Sequence, residues 1–144
     1  MLAGKLRLVL LALALLAIKA MLRVTGYARG HSWLHRMISP GNFHPPPATI
    51  PSARELADRV RDADVRYSLS PGDCLSTSLL LSAYLRRHGY KAEVFLGVRT
   101  ITGTFESHAW VAVDGVVLND AAAVAELYTP IRRLSATPDS HSTA

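Results

Sequence analysis

The segment from Cys74 to His88 constrains the fold more than any other part of the chain, because it is a helix that has to be buried. It follows the turn sequence SPGD, whose last residue, Asp73, is a candidate N-cap, and Gly89 comes directly after it. Its apolar side chains include Leu75, Leu79, Leu80, Leu81 and Ala83. These side chains cover too much of the circumference for a surface helix. Other elements must therefore pack against more than one of its sides.

Such elements are predicted both before and after this helix. Before it, the SARE sequence that begins at Ser52 has the spacing of a capping box, and apolar residues recur at helical spacing over 56–63. After it, three runs have the composition of strands: residues 91–98, 104–113 and 116–120. We therefore predict an α+β domain over residues 53–134, in which the buried helix packs on a small antiparallel sheet.

Residues 1–24 form an apolar and basic segment ahead of this domain. Its centre, residues 8–18, is uninterrupted apolar sequence that would span about 16 Å as a helix, roughly half of a hydrocarbon core. A helix buried against the domain or a partner, a helix at a membrane surface and a signal peptide all fit this pattern. The sequence AIKAM is a poor cleavage site, so we predict a helix that is retained. A Gly- and Pro-rich linker over 25–52 and a flexible tail over 135–144 are also expected.

The positive charge of the chain is concentrated in its N-terminal third. Residues 1–54 contain seven basic and no acidic residues, whereas residues 55–144 contain nine basic and eleven acidic ones. A basic, apolar leading segment favours a membrane surface or an acidic partner. Aromatic residues do not alternate with the basic ones as they do on nucleic-acid platforms, so nucleic-acid binding is not expected.

Three residues of the predicted domain form a candidate nucleophile, base and orienting group. Cys74 is the only cysteine, which excludes an intramolecular disulfide and a cysteine-rich zinc site and favours a reducing compartment such as the cytoplasm. A lone cysteine is more often a small buried hydrophobe, so the argument depends on His108, a histidine inside a strand that needs a partner or a task. Asp120 follows 12 residues later and could orient it. This chemistry requires neither a metal nor an organic cofactor.

The register of the predicted hairpin decides which residue orients His108. A two-residue loop at Asp114-Gly115 would place Asp120 on the opposite face of the sheet and Asn119 on the face of His108. A three-residue loop that includes Val113, with Gly115 at positive φ, would place Asp120 directly opposite His108. We predict the three-residue loop, with Asp120 as the orienting group.

An oxyanion stabiliser is also needed. The chain contains no glutamine, the residue that papain-like enzymes place before their cysteine. The backbone N–H of Cys74 is one candidate donor, and Tyr67, Ser70 or another backbone N–H could be the second.

The sequences CLSTSLLLSAYLRRHGYKAEVFLGV and HAWVAVDGVVLND resemble the leader peptidases of lasso-peptide biosynthesis, which belong to the transglutaminase-like superfamily of papain-type folds. The resemblance covers about residues 53–130. It implies a papain/transglutaminase-like core and a cysteine protease that removes the leader from a ribosomally made precursor peptide. Cys74, His108 and Asp120 fall on the positions of the family's catalytic triad.

The resemblance also implies partners. The segment of about 50 residues ahead of the domain leaves no room for the leader-recognition domain that some members carry, so we expect a stand-alone protease that relies on a separate leader-binding protein. An ATP-dependent macrolactam cyclase is the expected next enzyme. Two alternatives stay open: an acyltransferase of the transglutaminase type that uses the same three residues, and a non-catalytic adaptor at a membrane surface. We expect a cytoplasmic protein whose residues 1–24 contact a partner or a membrane surface.

Overall fold

Three helices precede an antiparallel sheet in the computed structural model, which describes residues 2–37, 50–67 and 73–134. The helices are α1 (Leu2–Met37), α2 (Ile50–Tyr67), α3 (Cys74–Arg87) and the short α4 (Val124–Leu127). The strands are β1 (Ala92–Ile101), β2 (Thr104–Val113), β3 (Val116–Val117) and β4 (Thr129–Leu134). The strand order is β3-β2-β1-β4, and all pairs are antiparallel. The predicted α+β class, with an N-terminal helix ahead of it, is confirmed.

The sheet differs from the prediction at both of its edges. At one edge β3 ends at Val117, three residues earlier than expected. At the other edge lies β4, which the sequence analysis did not identify. It contains Pro130, and proline is tolerated in edge strands because they have a side without ladder hydrogen bonds.

Helix α3 packs against one face of the sheet, and α1 and α2 pack against α3, so that the three helices and the sheet share the main core. Val111 and Val113 of β2 point into this core, where Leu81 and Leu85 of α3 are completely buried. Trp110 lies on the other face, in a smaller cluster. The alternation of β2 therefore separates a face that is packed against helices from a face that is available for a site.

Helix α3 is fixed at both ends by specific contacts. Asp73 caps its start, and Gly89, with φ of +85°, follows its end, as the sequence predicts. Arg86 donates from Nε and Nη2 to the carbonyl oxygen of Ala92, at 2.9 and 2.8 Å, which ties the helix end to the start of β1. The pKa of the Arg86 guanidinium lies below its ordinary value, because burial lowers it by more than the nearby carboxylate of Glu93 raises it.

Helix α1 is part of the core. Leu11, Leu15 and Ile18 are buried against α2 and α3. Lys19 donates from Nζ to Asp64 of α2 at 3.3 Å, and only 13% and 7% of these two side chains is exposed. This ion pair joins α1 to α2 beside their apolar contacts, and removal of either partner would leave a buried charge without its counter-charge.

The bounds of α1 differ from the predicted helix over 1–24. The helix continues to Met37, with an interruption at Gly26, where φ is +71°. Part of the predicted linker over 25–52 is therefore helical, while residues 38–49 and the predicted tail over 135–144 lie outside the described residues. Within the described ranges, no helix is both long and apolar enough to cross a bilayer.

Leu15→Ala should lower the free energy of unfolding by about 2–5 kcal/mol, because it removes a large side chain that is 99% buried between helices. Leu13→Ala is the matched control, since 56% of Leu13 is exposed, and it should change stability by no more than about 0.5 kcal/mol. Urea denaturation measures both. Equal stability of the two variants would contradict the packing of α1 in the core.

Candidate active site

Cys74 is the first residue of α3, and its side chain is half-buried. Asp73 accepts hydrogen bonds from the backbone N–H of Ser76 at 3.4 Å and from the Ser76 hydroxyl at 2.7 Å. The Asp73 carboxylate is therefore engaged in capping the helix. Cys74 thus lies at the positive end of a 14-residue helix, a position that favours negative charge on a side chain.

A hydrogen-bonded chain attaches α3 to the open edge of β2. The Ser78 hydroxyl donates to the carbonyl oxygen of Ala109 at 3.1 Å, and the side-chain amide of Asn119 donates to the Ser78 hydroxyl at 2.9 Å. Cys74 lies one helical turn before Ser78, on the same side of the helix. Since Ala109 is next to His108, this attachment holds the start of α3 beside the strand that carries the histidine.

His108 and Asp120 are in direct contact, as the sequence analysis predicts. Nε2 of His108 forms a hydrogen bond with Oδ2 of Asp120, and both side chains are about one quarter exposed. The other carboxylate oxygen accepts the backbone N–H of Ala121 at 2.7 Å. Because a carboxylate only accepts, Nε2 carries the proton in this contact, and a neutral ring then keeps Nδ1 as an acceptor.

The thiol itself is not bonded to the imidazole. Among the residues that the structure describes, no hydrogen bond joins Cys74 to His108. Contacts between catalytic groups are often longer in an enzyme without substrate than in its complexes.

The predicted three-residue hairpin loop is wrong. Val113 pairs with Val116 and Ala112 with Val117, so the loop is the two-residue turn Asp114-Gly115. Both loop residues have positive φ, +49° and +79°, as a type I′ turn requires. Gly115 does have the expected left-handed conformation. However, a regular strand in the observed register would place Asp120 on the sheet face opposite to His108.

Asp120 reaches His108 because the strand ends before the register can carry it to the other face. The Leu118 N–H still donates to the Val111 carbonyl oxygen at 3.0 Å. The Val111 N–H donates instead to the side-chain oxygen of Asn119 at 2.7 Å, in the place that a Leu118 carbonyl would have in a regular ladder. The backbone is then free to bend over 118–120, and Asp120 turns toward His108. Asn119, the alternative orienting group, thus has a structural role.

An aromatic cluster lies beside His108 on the sheet face that does not pack against α3. Its ring centroid lies 5.1 Å from that of Tyr128 and 6.4 Å from that of Trp110. Gly97, which pairs with His108 across the ladder, makes room for these rings. A Cβ atom at Gly97 would lie 2.8 Å from the Trp110 ring and 2.9 Å from Cβ of Tyr128. A glycine inside a strand pattern is the sequence signal of such a close approach.

Charged groups hold Tyr128 in this aromatic cluster. Arg99 donates from Nε to Glu106 at 2.7 Å, and its guanidinium carbon lies 4.4 Å from the centre of the Tyr128 ring. The Tyr128 hydroxyl donates to the same Glu106 oxygen at 3.4 Å. Neither Gly97 nor these contacts of Tyr128 were identified from the sequence, because Tyr128 reaches Arg99 and Glu106 only through the pairing of β4 with β1.

Cys74 and Tyr67, two of the candidate oxyanion donors, lie within the described residues. Cys74 and its backbone N–H lie at the helix start, where N–H groups have no partner within the helix. Tyr67 is the exposed last residue of α2, and Ser70 lies outside the described residues. Over the described ranges, no group of three or more His, Cys, Asp or Glu residues could hold a metal ion.

Comparison with known protein families places this site within a family match. The family model described as the transglutaminase-like superfamily matches residues 12–133, a range that begins within α1 and contains Cys74, His108 and Asp120. No curated protein and no solved structure matches the chain.

Asn119→Ala should lower the free energy of unfolding by about 1–3 kcal/mol, because it leaves the N–H of the buried Val111 without an acceptor. Asn119→Asp is the matched control: it keeps an oxygen for Val111 and should cost less than the alanine variant. Thermal and urea denaturation measure the effect. An alanine variant as stable as the wild-type chain would show that this side chain does not hold the strand end.

Proposed function

The chain belongs to the transglutaminase-like superfamily, and from this premise we propose that it is a cysteine peptidase in which Cys74, His108 and Asp120 act as one catalytic unit. Enzymes of this superfamily are typically cysteine proteases and acyltransferases. The observation that carries the proposal is the contact between His108 and Asp120. It leaves Nδ1 of the histidine available on the strand to which the helix of the only cysteine is attached.

In this reaction His108 accepts the proton of the Cys74 thiol at Nδ1, and the sulfur attacks the scissile carbonyl carbon. Asp120 holds the Nε2 proton and stabilises the imidazolium that forms. His108 then gives its proton to the leaving amine as the C–N bond breaks, and a thioester remains on Cys74. A water molecule that transfers a proton to His108 attacks the thioester, and release of the acid restores the thiol. The Cys74–His108 contact is expected to close when substrate binds.

The substrate proposed for this peptidase is the leader of a ribosomally made lasso-peptide precursor. The resemblance of the segments around Cys74 and His108 to lasso leader peptidases supports this substrate. The half-buried rings of Tyr128 and Phe95, which pack against the buried Trp110 beside His108, would suit an extended peptide with apolar side chains. A separate leader-binding protein and an ATP-dependent macrolactam cyclase are the proposed partners in the cytoplasm.

Acyl transfer is the second candidate, because the superfamily includes acyltransferases and the three residues would serve both reactions. The two differ only in whether water or an amine attacks the thioester. Incubation with a precursor peptide and an excess of a primary amine distinguishes them. A peptidase yields the free carboxylic acid, whereas a transferase yields the amide.

Cys74→Ala and His108→Ala should each lower the rate of precursor cleavage by about a thousandfold or more, because each removes part of one unit. The double variant should be no slower than either single variant for the same reason. His88→Ala is the control, since it removes a histidine at the opposite end of α3 and should keep its activity. Cleavage by Cys74→Ala at the wild-type rate would exclude the peptidase.

Cleavage of the precursor should be weak with the purified chain alone and should rise at least about tenfold when the leader-binding protein is added, because tethering raises the local concentration of substrate. Mass spectrometry of the products measures this. A deletion of the leader segment that the partner binds is the control, and it should remove the stimulation. A fully active isolated chain that the partner does not stimulate would contradict this dependence but not the peptidase itself.

A further inference from the structure

Helix α1 has apolar residues on two sides. The core covers one of them, and the other, the outer side, is exposed. Five residues on the outer side are between 41% and 60% exposed: Leu6, Val9, Leu10, Leu13 and Leu16. Their spacing of three and four residues places them in one stripe along the helix. A contiguous exposed apolar stripe on a soluble domain marks a surface that something else covers.

This stripe continues into a groove between α1 and α3 with a volume of about 400 Å³. Its apolar lining is Leu10, Leu11, Ala14, Leu80, Ala83 and Tyr84. Two arginines complete the lining, Arg7 from α1 and Arg87 from the last turn of α3. Both are exposed, as is Lys5 near the start of the stripe.

We propose that this surface binds a membrane that contains anionic lipids, with α1 lying in the plane of the interface. The apolar stripe would enter the boundary between headgroups and acyl chains, and acyl groups would fill the groove. Lys5, Arg7 and Arg87 would contact lipid phosphates. The charge of this region fits such a surface because residues 1–54 contain no acidic residue.

The same features disfavour a second copy of this chain as the occupant. A symmetric dimer through the stripe would bring the cations at Lys5, Arg7 and Arg87 of both copies close to one another. The stripe also lacks the aromatic anchors that dominate protein interfaces, since its members are leucines and one valine.

The proposed membrane contact leaves the candidate active site accessible. Arg87 and Cys74 are at opposite ends of α3, about 20 Å apart for a helix of this length. His108 and Asp120 contact each other on the sheet face that does not pack against the helices. Membrane binding can therefore be tested with variants that leave the proposed catalytic residues unchanged.

The test is co-sedimentation of the full chain with vesicles of equal parts phosphatidylcholine and phosphatidylglycerol, compared with phosphatidylcholine alone. The wild-type chain should bind the anionic vesicles preferentially, and added salt should weaken the binding. The double variant Leu10→Ser, Leu13→Ser should lower the partition coefficient by about tenfold or more. Arg7→Glu should lower it by roughly fivefold or more.

Val65→Ser and Arg59→Glu are matched controls, because both residues are exposed on α2 and neither lines the groove. They should bind like the wild-type chain, and all variants should keep its thermal midpoint. Equal binding of wild-type and stripe variants, or equal binding to both kinds of vesicle, would overturn the proposal. Two other results would also overturn the proposal if vesicles bind no chain. One is a dimer in light scattering that the stripe variants abolish, and the other is a complex with an acidic protein that the same variants abolish.

Discussion

The hydrogen bonds of the Asn119 side chain are the contacts on which the candidate site depends. This one amide accepts the N–H of Val111 in β2 and donates to Ser78 in α3, while Ser78 donates to Ala109. It thereby ends a strand, attaches the helix that begins with Cys74, and sets the bend that brings Asp120 to His108. The role of Asn119 is structural, since this residue need not touch a substrate to position all three proposed catalytic residues.

The chain also divides its apolar residues between two tasks. Buried residues of α2, α3, β1 and β2, together with one side of α1, form the core between the helices and the sheet. Those on the other side of α1 remain exposed beside a cationic groove. A helix that is apolar on two sides is thus used once for folding and, in our proposal, once for a membrane surface.

Much of this fold follows from the sequence, and the exceptions have identifiable causes. The buried helix from Cys74 is predicted by its leucines and its caps, and the α+β class by the strands that follow it. The hairpin register was predicted wrongly because a regular strand was expected to continue to Asp120, whereas β3 ends at Val117 and the Asn119 side chain takes the next ladder position. The contact between His108 and Asp120 was nevertheless predicted correctly, for a different geometric reason. Gly97 and Tyr128 were missed because their role depends on packing between distant segments.

The rate at which iodoacetamide alkylates Cys74 at neutral pH tests the central claim most directly. The chain has one cysteine, so the mass of the intact protein reports that residue alone. If His108 activates the thiol, His108→Ala should react about tenfold or more slowly than the wild-type chain, and Asp120→Asn should fall between them. Equal alkylation rates in the wild-type chain and a folded His108→Ala variant would contradict a catalytic unit built on these residues.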